Sequence, residues 1–271
     1  MTTLITGATG HLGSLVVKHA LDRLPAADLA VSVRDPARAD LPVEVRHGDF
    51  AAPETLATAF AGVDKLLLVS ADGPDEVRIG LHRAAVAAAV DAGVRHILYT
   101  SVSDADTSPL GLAKVHKATE ELIRATGLAY TFLRNGMYHE NYTRNLGHGP
   151  IVTAAGDGRI ASASRDDLAL AAAIALTTAG HENTVHEFTG PRAWTFDELA
   201  ALAGTTHQRV TAQQRTAALE GFGLPAFVAE LLTDIEVTIA GGALSEVRPD
   251  LEKVLGRPAT PVEDAVRAAL A

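Results

Sequence analysis

At 271 residues with 47% hydrophobic and only 4% aromatic side chains, the chain can bury one large α/β core, or a nucleotide-binding domain with a smaller appendage, packed largely through small residues. The absence of cysteine excludes disulfides, thiolate catalysis and Cys-ligated zinc, and the formal charge of −10 without a Lys/Arg cluster argues against nucleic acid as a partner. No leader-like segment precedes the first strand, and the most apolar helical stretch, residues 168–176, is far shorter than the roughly 20 residues that span a bilayer, so a cytoplasmic protein without a membrane partner is expected.

A short apolar run (Leu4, Ile5) meets a turn with glycines at 7, 10 and 13, and a helical pattern begins directly after it. Strand, glycine turn and helix start together make a phosphate cradle. One glycine permits the tight turn, one lets backbone approach a pyrophosphate, and one lets helix and strand pack closely. The following helix N-terminus offers unpaired N–H groups to the anion. Gly7, Thr9, Gly10, His11 and Leu12 are therefore expected to bind a dinucleotide. The spacing G-x-x-G-x-x-G resembles the extended and atypical branches of the short-chain dehydrogenase/reductase superfamily.

Leu12, Leu15, Val16, His19 and Ala20 fit one face of the first helix, which Pro25 ends. Leu29–Val33 reads as a second strand, and Arg34 follows at once. An acid there would bind the 2′-hydroxyl of NAD, whereas an arginine accommodates the 2′-phosphate of NADP. Arg34 is read as that ligand, with Asp35 as a turn residue and Arg38 as an assistant. A third strand, 43–47, leads to Gly48-Asp49-Phe50. In the superfamily an aspartate here meets the adenine amine and the next residue packs on the ring, and Asp49 and Phe50 resemble that pair. A short helix over 53–60 precedes a nearly continuous apolar strand at 63–69, as expected of a parallel strand buried on both faces. Val69, Ser70 and Ala71 at its C-terminal end would line the cofactor crevice.

An Ala-rich helix over 75–92 stops at Gly93, and a fifth strand follows over 94–100. The helix over 112–126 carries Lys117–Glu121 and Glu120–Arg124 at i,i+4, which predicts a solvated face, and Gly127 stops it. A sixth strand covers 128–133. Beyond it, 137–146 is expected to be a helix over the crevice and 155–158 a turn. Capping boxes at 164–167 and 195–198 open helices over 166–178 and 196–203, with a strand over 184–189 between them. Helices over 212–222, 225–240 and 260–270 complete the chain. The rhythm predicts a doubly wound parallel sheet, a Rossmann fold, over residues 1–135 and a smaller, mostly helical lobe over 136–271, partly interleaved with the first.

Most of the superfamily uses Tyr-x-x-x-Lys, the lysine binding ribose and lowering the tyrosine pKa. No tyrosine here has a lysine four residues on: Tyr99 meets Ser103, Tyr130 meets Arg134, Tyr138 meets Tyr142, and Tyr142 meets Leu146. Anchored on Glu120, His116 stands where the lysine would be and Leu112 where the tyrosine would be. The usual alcohol proton relay and sugar-nucleotide epimerisation are excluded on that ground.

The segments Ala105-Asp106-Thr107-Ser108-Pro109-Leu110-Gly111-Leu112-Ala113, then His116 and Glu120, then Leu133-Arg134-Asn135-Gly136-Met137-Tyr138 and Glu140-Asn141-Tyr142, are more particular. Together with Gly156-Asp157-Gly158-Arg159 and Ala161-Ser162-Ala163-Ser164-Arg165 they resemble the type 2 NAD(P)H:quinone oxidoreductases, a branch of the NmrA-like atypical short-chain dehydrogenases, over most of residues 3–200. Related branches reduce triarylmethane dyes. The resemblance implies NADPH as cofactor, no flavin, no metal, and hydride transfer to a quinone-like acceptor. His116, with Ser101, is the expected proton donor, and Asn135 and Tyr138 are expected to line the acceptor pocket. No role carries over to Lys114 or Lys117. Competing constellations fail: G-x-S-x-G and H-E-x-x-H are absent, His181-Glu182 meets His186 at the wrong spacing for a zinc helix, and most of the 11 histidines read as surface residues. The alternative is a non-catalytic NmrA-like regulator that senses NADP(H). Oligomeric state is left open, a homodimer among the options.

Overall fold

The computed structural model describes residues 1–271. A strand β1 (Thr2–Thr6) enters the glycine turn and α1 (His11–Leu21) leaves it; β2 (Leu29–Val33), β3 (Glu44–His47) and a short α2 (Leu56–Ala59) follow. Then come β4 (Val63–Leu68), α3 (Asp75–Asp91), β5 (His96–Val102), α4 (Ala113–Ala125) and β6 (Ala129–Asn135). One turn of helix, α5 (Glu140–Thr143), precedes β7 (Ile151–Thr153), β8 (Arg159–Ile160), α6 (Arg165–Thr177) and β9 (Thr184–Phe188). The remainder is β10 (Trp194–Thr195), α7 (Phe196–Leu202), β11 (His207–Arg209), α8 (Ala212–Gly221), α9 (Ala226–Ala240), α10 (Asp250–Leu255) and α11 (Val262–Leu270). No helix is long and apolar enough to cross a membrane.

The central sheet is parallel and seven-stranded, in the order β3-β2-β1-β4-β5-β6-β9. Chain order reverses between β1 and β4, which makes the topological switch point of a doubly wound fold. All seven residues of β5 are buried, as are all five of β2, because helices cover both faces of such a sheet. Gly93 and Gly127 adopt left-handed backbone (φ +76° and +74°) and stop α3 and α4 where the sequence places their ends.

The chain divides into two compact units. The first comprises Met1–Ser101, Val115–Arg134 and Asp166–His186; the second comprises Val102–Lys114, Asn135–Arg165 and Glu187–Ala271. Leu4, Phe60, Leu66, Ile97, Tyr99 and Phe132 belong to the core of the first. The second has its own core, in which Trp194 and Phe196 contact each other edge to face and both meet Tyr142.

Several expectations need correction. The helix expected over 137–146 shrinks to the single turn of α5. The backbone before it is drawn into an extended pairing, with Ala163 N–H donating to Met137 O at 2.8 Å and His139 N–H to Ala163 O at 2.9 Å. Four short strands, β7, β8, β10 and β11, pair β7 with β11 and β8 with β10 in a region read as loop or helix end. The solvated face expected on α4 is not solvated at Glu120. That side chain is fully buried, accepts from Ser101 Oγ at 2.6 Å and from Arg134 Nη2 at 2.6 Å, and lies 3.6 Å from Arg124. Four of the 11 histidines, His82, His96, His116 and His139, are buried rather than superficial.

Removing one partner of a buried ion pair leaves the other charge uncompensated, at a cost of about 3–5 kcal/mol. Glu120→Gln is expected to lower the unfolding free energy measured by urea titration by that order, whereas Glu121→Gln, at an exposed position of the same helix, changes it by less than about 0.5 kcal/mol. Equal midpoints for the two variants would contradict the buried pairing.

Candidate active site

The glycine turn shows which positions the cradle constrains. Gly7 holds a left-handed backbone (φ +62°), and a Cβ added there would lie 3.3 Å from Val69 Cβ. A Cβ on Gly13 would fall 2.2 Å from the carbonyl oxygen of Gly7, so only glycine lets α1 start this close to β1. Gly10 is the N-cap of α1, no side chain caps it, and the first turn carries no acid. Its N–H groups and the positive end of its dipole are left for an anion. Gly7, Thr9, Gly10 and His11 are exposed along this turn, while Leu12 is turned into the core. A bare backbone surface at a helix N-terminus fits a dinucleotide pyrophosphate.

Arg34 lies at the C-terminal end of β2, exposed. Asp35 next to it is used locally, its carboxylate accepting from Ala37 N–H at 3.1 Å to cap a short 3₁₀ turn. Asp49 follows β3, half-buried, with one carboxylate oxygen accepting from Ala51 N–H at 2.9 Å, and Phe50 packs against the core of the first unit. Val69 and Ser70 end β4. The N–H of Val69 donates to Thr6 Oγ1 and that of Ser70 to Thr100 Oγ1, each at 2.9 Å, which ties the tips of β1, β4 and β5 together. All the expected cofactor residues thus belong to the first unit and lie along the C-terminal ends of β1 to β4.

A polar network missed by the sequence reading begins at Ser70. Arg78, in the first turn of α3, donates through Nη2 to Ser70 Oγ at 2.9 Å and to His116 Nε2 at 3.3 Å. Arginine has no acceptor, so His116 Nε2 accepts and the ring proton sits on Nδ1, from which it donates to Tyr99 Oη at 2.9 Å. His82 is fixed in the same way. It accepts from Ala71 N–H at 2.9 Å through Nε2, donates from Nδ1 to Thr119 Oγ1 at 2.8 Å, and Thr119 donates on to Val115 O. Burial, then the charge of Arg78, lowers His82 to about 4 and holds His116 well below the usual imidazole range; burial raises Tyr99 to about 12. The only sequence signal for Arg78 and His82 was an i,i+4 spacing on a helix read as Ala-rich filler.

The expectation that His116 and Ser101 hand protons to a substrate does not fit this geometry. His116 is neutral, with both ring nitrogens bonded to protein, and the Ser101 hydroxyl is committed to buried Glu120. The expected acceptor residues fall in the second unit. Asn135 ends β6 with its Oδ1 buried and lacking a hydrogen-bond partner. Tyr138 is half-buried, with the Arg165 guanidinium 4.9 Å from its ring centroid. Nearby, His139 donates through Nε2 to Thr260 O at 3.0 Å and accepts from Ser162 Oγ at 2.7 Å, while Trp194 donates to the same serine oxygen.

The buried histidines carry a pH signature. The unfolded chain protonates His82 near pH 6.5, whereas the folded protein resists until about pH 4, so unfolding takes up a proton between these values. Stability is fully present above this window and lost as pH falls through it, by up to about 3 kcal/mol for this residue. Urea midpoints measured from pH 7 to pH 4.5 should fall in the parent protein and fall less steeply in His82→Gln; equal slopes would refute the neutral buried assignment.

Comparison with known proteins identifies the family. Residues 7–179 match the NAD(P)H-binding family. The chain is 42% identical to quinone oxidoreductase 2 of Escherichia coli over 97% of this chain and 96% of that protein. The crystal structure of an NADPH-dependent quinone oxidoreductase from the same organism, complexed with NADPH, superposes with a TM-score of 0.96 at 40% identity, covering 100% of both chains. Triphenylmethane reductase from Citrobacter sp., complexed with NADP(H), superposes with a TM-score of 0.94 at 40% identity over 99% of this chain and 100% of that one. The chain belongs to the NAD(P)H-binding family, within the group of oxidoreductases that includes these quinone and triphenylmethane reductases.

Proposed function

We propose that the protein reduces a quinone, or a similarly conjugated electrophile, with NADPH and without flavin. The observation that carries this reading is the similarity to quinone oxidoreductase 2 along almost the whole chain. NADPH, when bound, supplies the hydride. Its pyrophosphate would lie on the turn from Gly7 to Gly13, its 2′-phosphate against Arg34, and its adenine beside Asp49 and Phe50, with Val69 and Ser70 along the route to the nicotinamide.

The chemistry suits a site that lacks the tyrosine. A quinone is a strong hydride acceptor, and the reduced oxygen is a fairly stable phenolate that water can protonate. The side chains then need only hold donor and acceptor in register, exclude water and offer a polar group to the oxygen. Leu112, half-buried ahead of α4, fits such a site better than it fits a proton relay. Asn135 and Tyr138 are assigned to the acceptor, and the unpartnered Oδ1 of Asn135 is suited to take a hydrogen bond from a hydroxyl. His116 and Ser101 act here as positioning residues rather than donors.

NADPH oxidation, followed by loss of reduced nicotinamide absorbance, is expected to require an added acceptor such as benzoquinone, a naphthoquinone or a triarylmethane dye. Tight NADPH binding with no acceptor-dependent oxidation would overturn the enzyme reading and favour a cofactor-sensing regulator. Arg34→Ala is expected to weaken NADPH by about tenfold or more, the scale of one lost charge-assisted hydrogen bond, and NADH by less than about twofold. Equal losses for the two cofactors would refute the 2′-phosphate assignment.

A further inference from the structure

Arg78 is a buried cation without a carboxylate. Its residue surface is only 6% exposed, yet its partners are the neutral Ser70 hydroxyl and His116 imidazole, and its buried Nε–H has no acceptor. Asp72 and Asp75 attract it from exposed positions without forming an ion pair. The other buried arginine of the first unit, Arg134, is fully paired with Glu120. An interior guanidinium left in this state is strongly disfavoured; its Nε is closed off, but Nη1 makes no hydrogen bond and is not closed off, so an acceptor from outside reaches the group there.

Its position says what that acceptor is. Ser70 ends β4, and Arg78 opens the helix that follows it. His116 reaches the same guanidinium from α4 while bonded to Tyr99 of β5. In the sheet order, β4 and β5 lie on the opposite side of β1 from β2 and β3. A dinucleotide whose pyrophosphate rests on the turn after β1 and whose adenosine is read after β2 and β3 extends its nicotinamide half toward the ends of β4 and β5. The hydroxyls of the nicotinamide ribose are neutral acceptors of the kind a guanidinium already bonded to neutral groups can add. The sequence has no lysine at position 116 to serve this half, so the positive charge comes from α3 instead.

We propose that Arg78 is a cofactor-binding residue that holds the nicotinamide ribose of NADPH through its Nη1–H group, which no protein atom takes, with Ser70 and His116 fixing the orientation of its plane. This rests on the reading of the protein as an NADPH-dependent reductase. Arg78 then contributes to binding of the nicotinamide half and nothing to the adenosine half.

The test is calorimetric titration of the full-length protein, Arg78→Met and Arg78→Lys with two ligands: NADPH, and adenosine 2′,5′-bisphosphate, which lacks the nicotinamide ribose. Arg78→Met should weaken NADPH by about tenfold or more and leave the bisphosphate within about twofold, and Arg78→Lys should recover part of the loss. Equal weakening of both ligands, or none, overturns the assignment. A measurement on the unsubstituted protein is independent of how the variants fold. The imidazole ¹⁵N resonances of His116, assigned by their absence in His116→Gln, should shift with NADPH and stay in place with the bisphosphate; no shift with NADPH overturns the proposal. If the parent protein fails to bind NADPH at all, the functional reading fails with it; if parent and Arg78→Met bind NADPH alike, only the role of Arg78 fails.

Discussion

The carboxylate of Glu120 has no access to water, and the placing of α4 follows from that. A buried carboxylate is tolerated only where hydrogen-bond donors surround it. Arg134 from the end of β6 and Ser101 from β5 converge on it, with Arg124 one turn further along the helix. Helix α4 is therefore fixed against two neighbouring strands rather than merely resting on them. His116 lies one turn before Glu120 on the same face and is brought into hydrogen-bond distance of Tyr99 as a result. The imidazole in turn accepts from Arg78, so the order of the network at the ends of β4 and β5 is inherited from an ion pair deeper in the fold.

The two buried arginines of the first unit show how differently the same charge can be used. Arg134 is neutralised by a carboxylate and ties the end of β6 to α4. Arg78 is held by neutral groups and adds to burial in lowering the two histidines beside it, which keeps the network uncharged except for itself. A network arranged in this way carries a fixed positive charge beside two imidazoles held below their usual range. That is a reasonable environment for hydride transfer to an electrophile, in which the developing charge is negative on the acceptor and no side-chain base has to change state.

The order of strands, turn and helices up to residue 135 could be read from the sequence, because a parallel sheet covered on both faces leaves long apolar runs and because Gly93 and Gly127 mark helix ends. The glycine turn was legible for the same physical reason that Gly13 admits no side chain. Glu120 was misread because an i,i+4 charge pair looks the same on a wet face and on a buried one; its partner Arg134 lies on the next strand, beyond the reach of helical periodicity. The segment from Met137 to His139 was misread as helix because its extended pairing with Ala163 leaves no period of its own. The two- and three-residue strands of the second unit are too short to show alternation. Arg78 and His82 were passed over because two polar residues in an alanine-rich helix carry no motif, and only the fold brings them to Ser70, Thr119 and His116.

The division of the chain bears on how this protein can be inherited. The polypeptide changes compact unit after Ser101, Lys114, Arg134, Arg165 and His186. Neither unit is a contiguous stretch of gene. A fragment ending at Asn135 would lack α6 and the edge strand β9, leaving β6 as an unpaired edge, and a fragment beginning there would lack the segment from Val102 to Lys114. The cofactor cradle therefore cannot be excised and spliced onto another acceptor-binding partner, as a self-contained nucleotide-binding cassette can. New acceptor preferences in such a chain have to arise by substitution within the existing framework, residue by residue, rather than by exchange of modules.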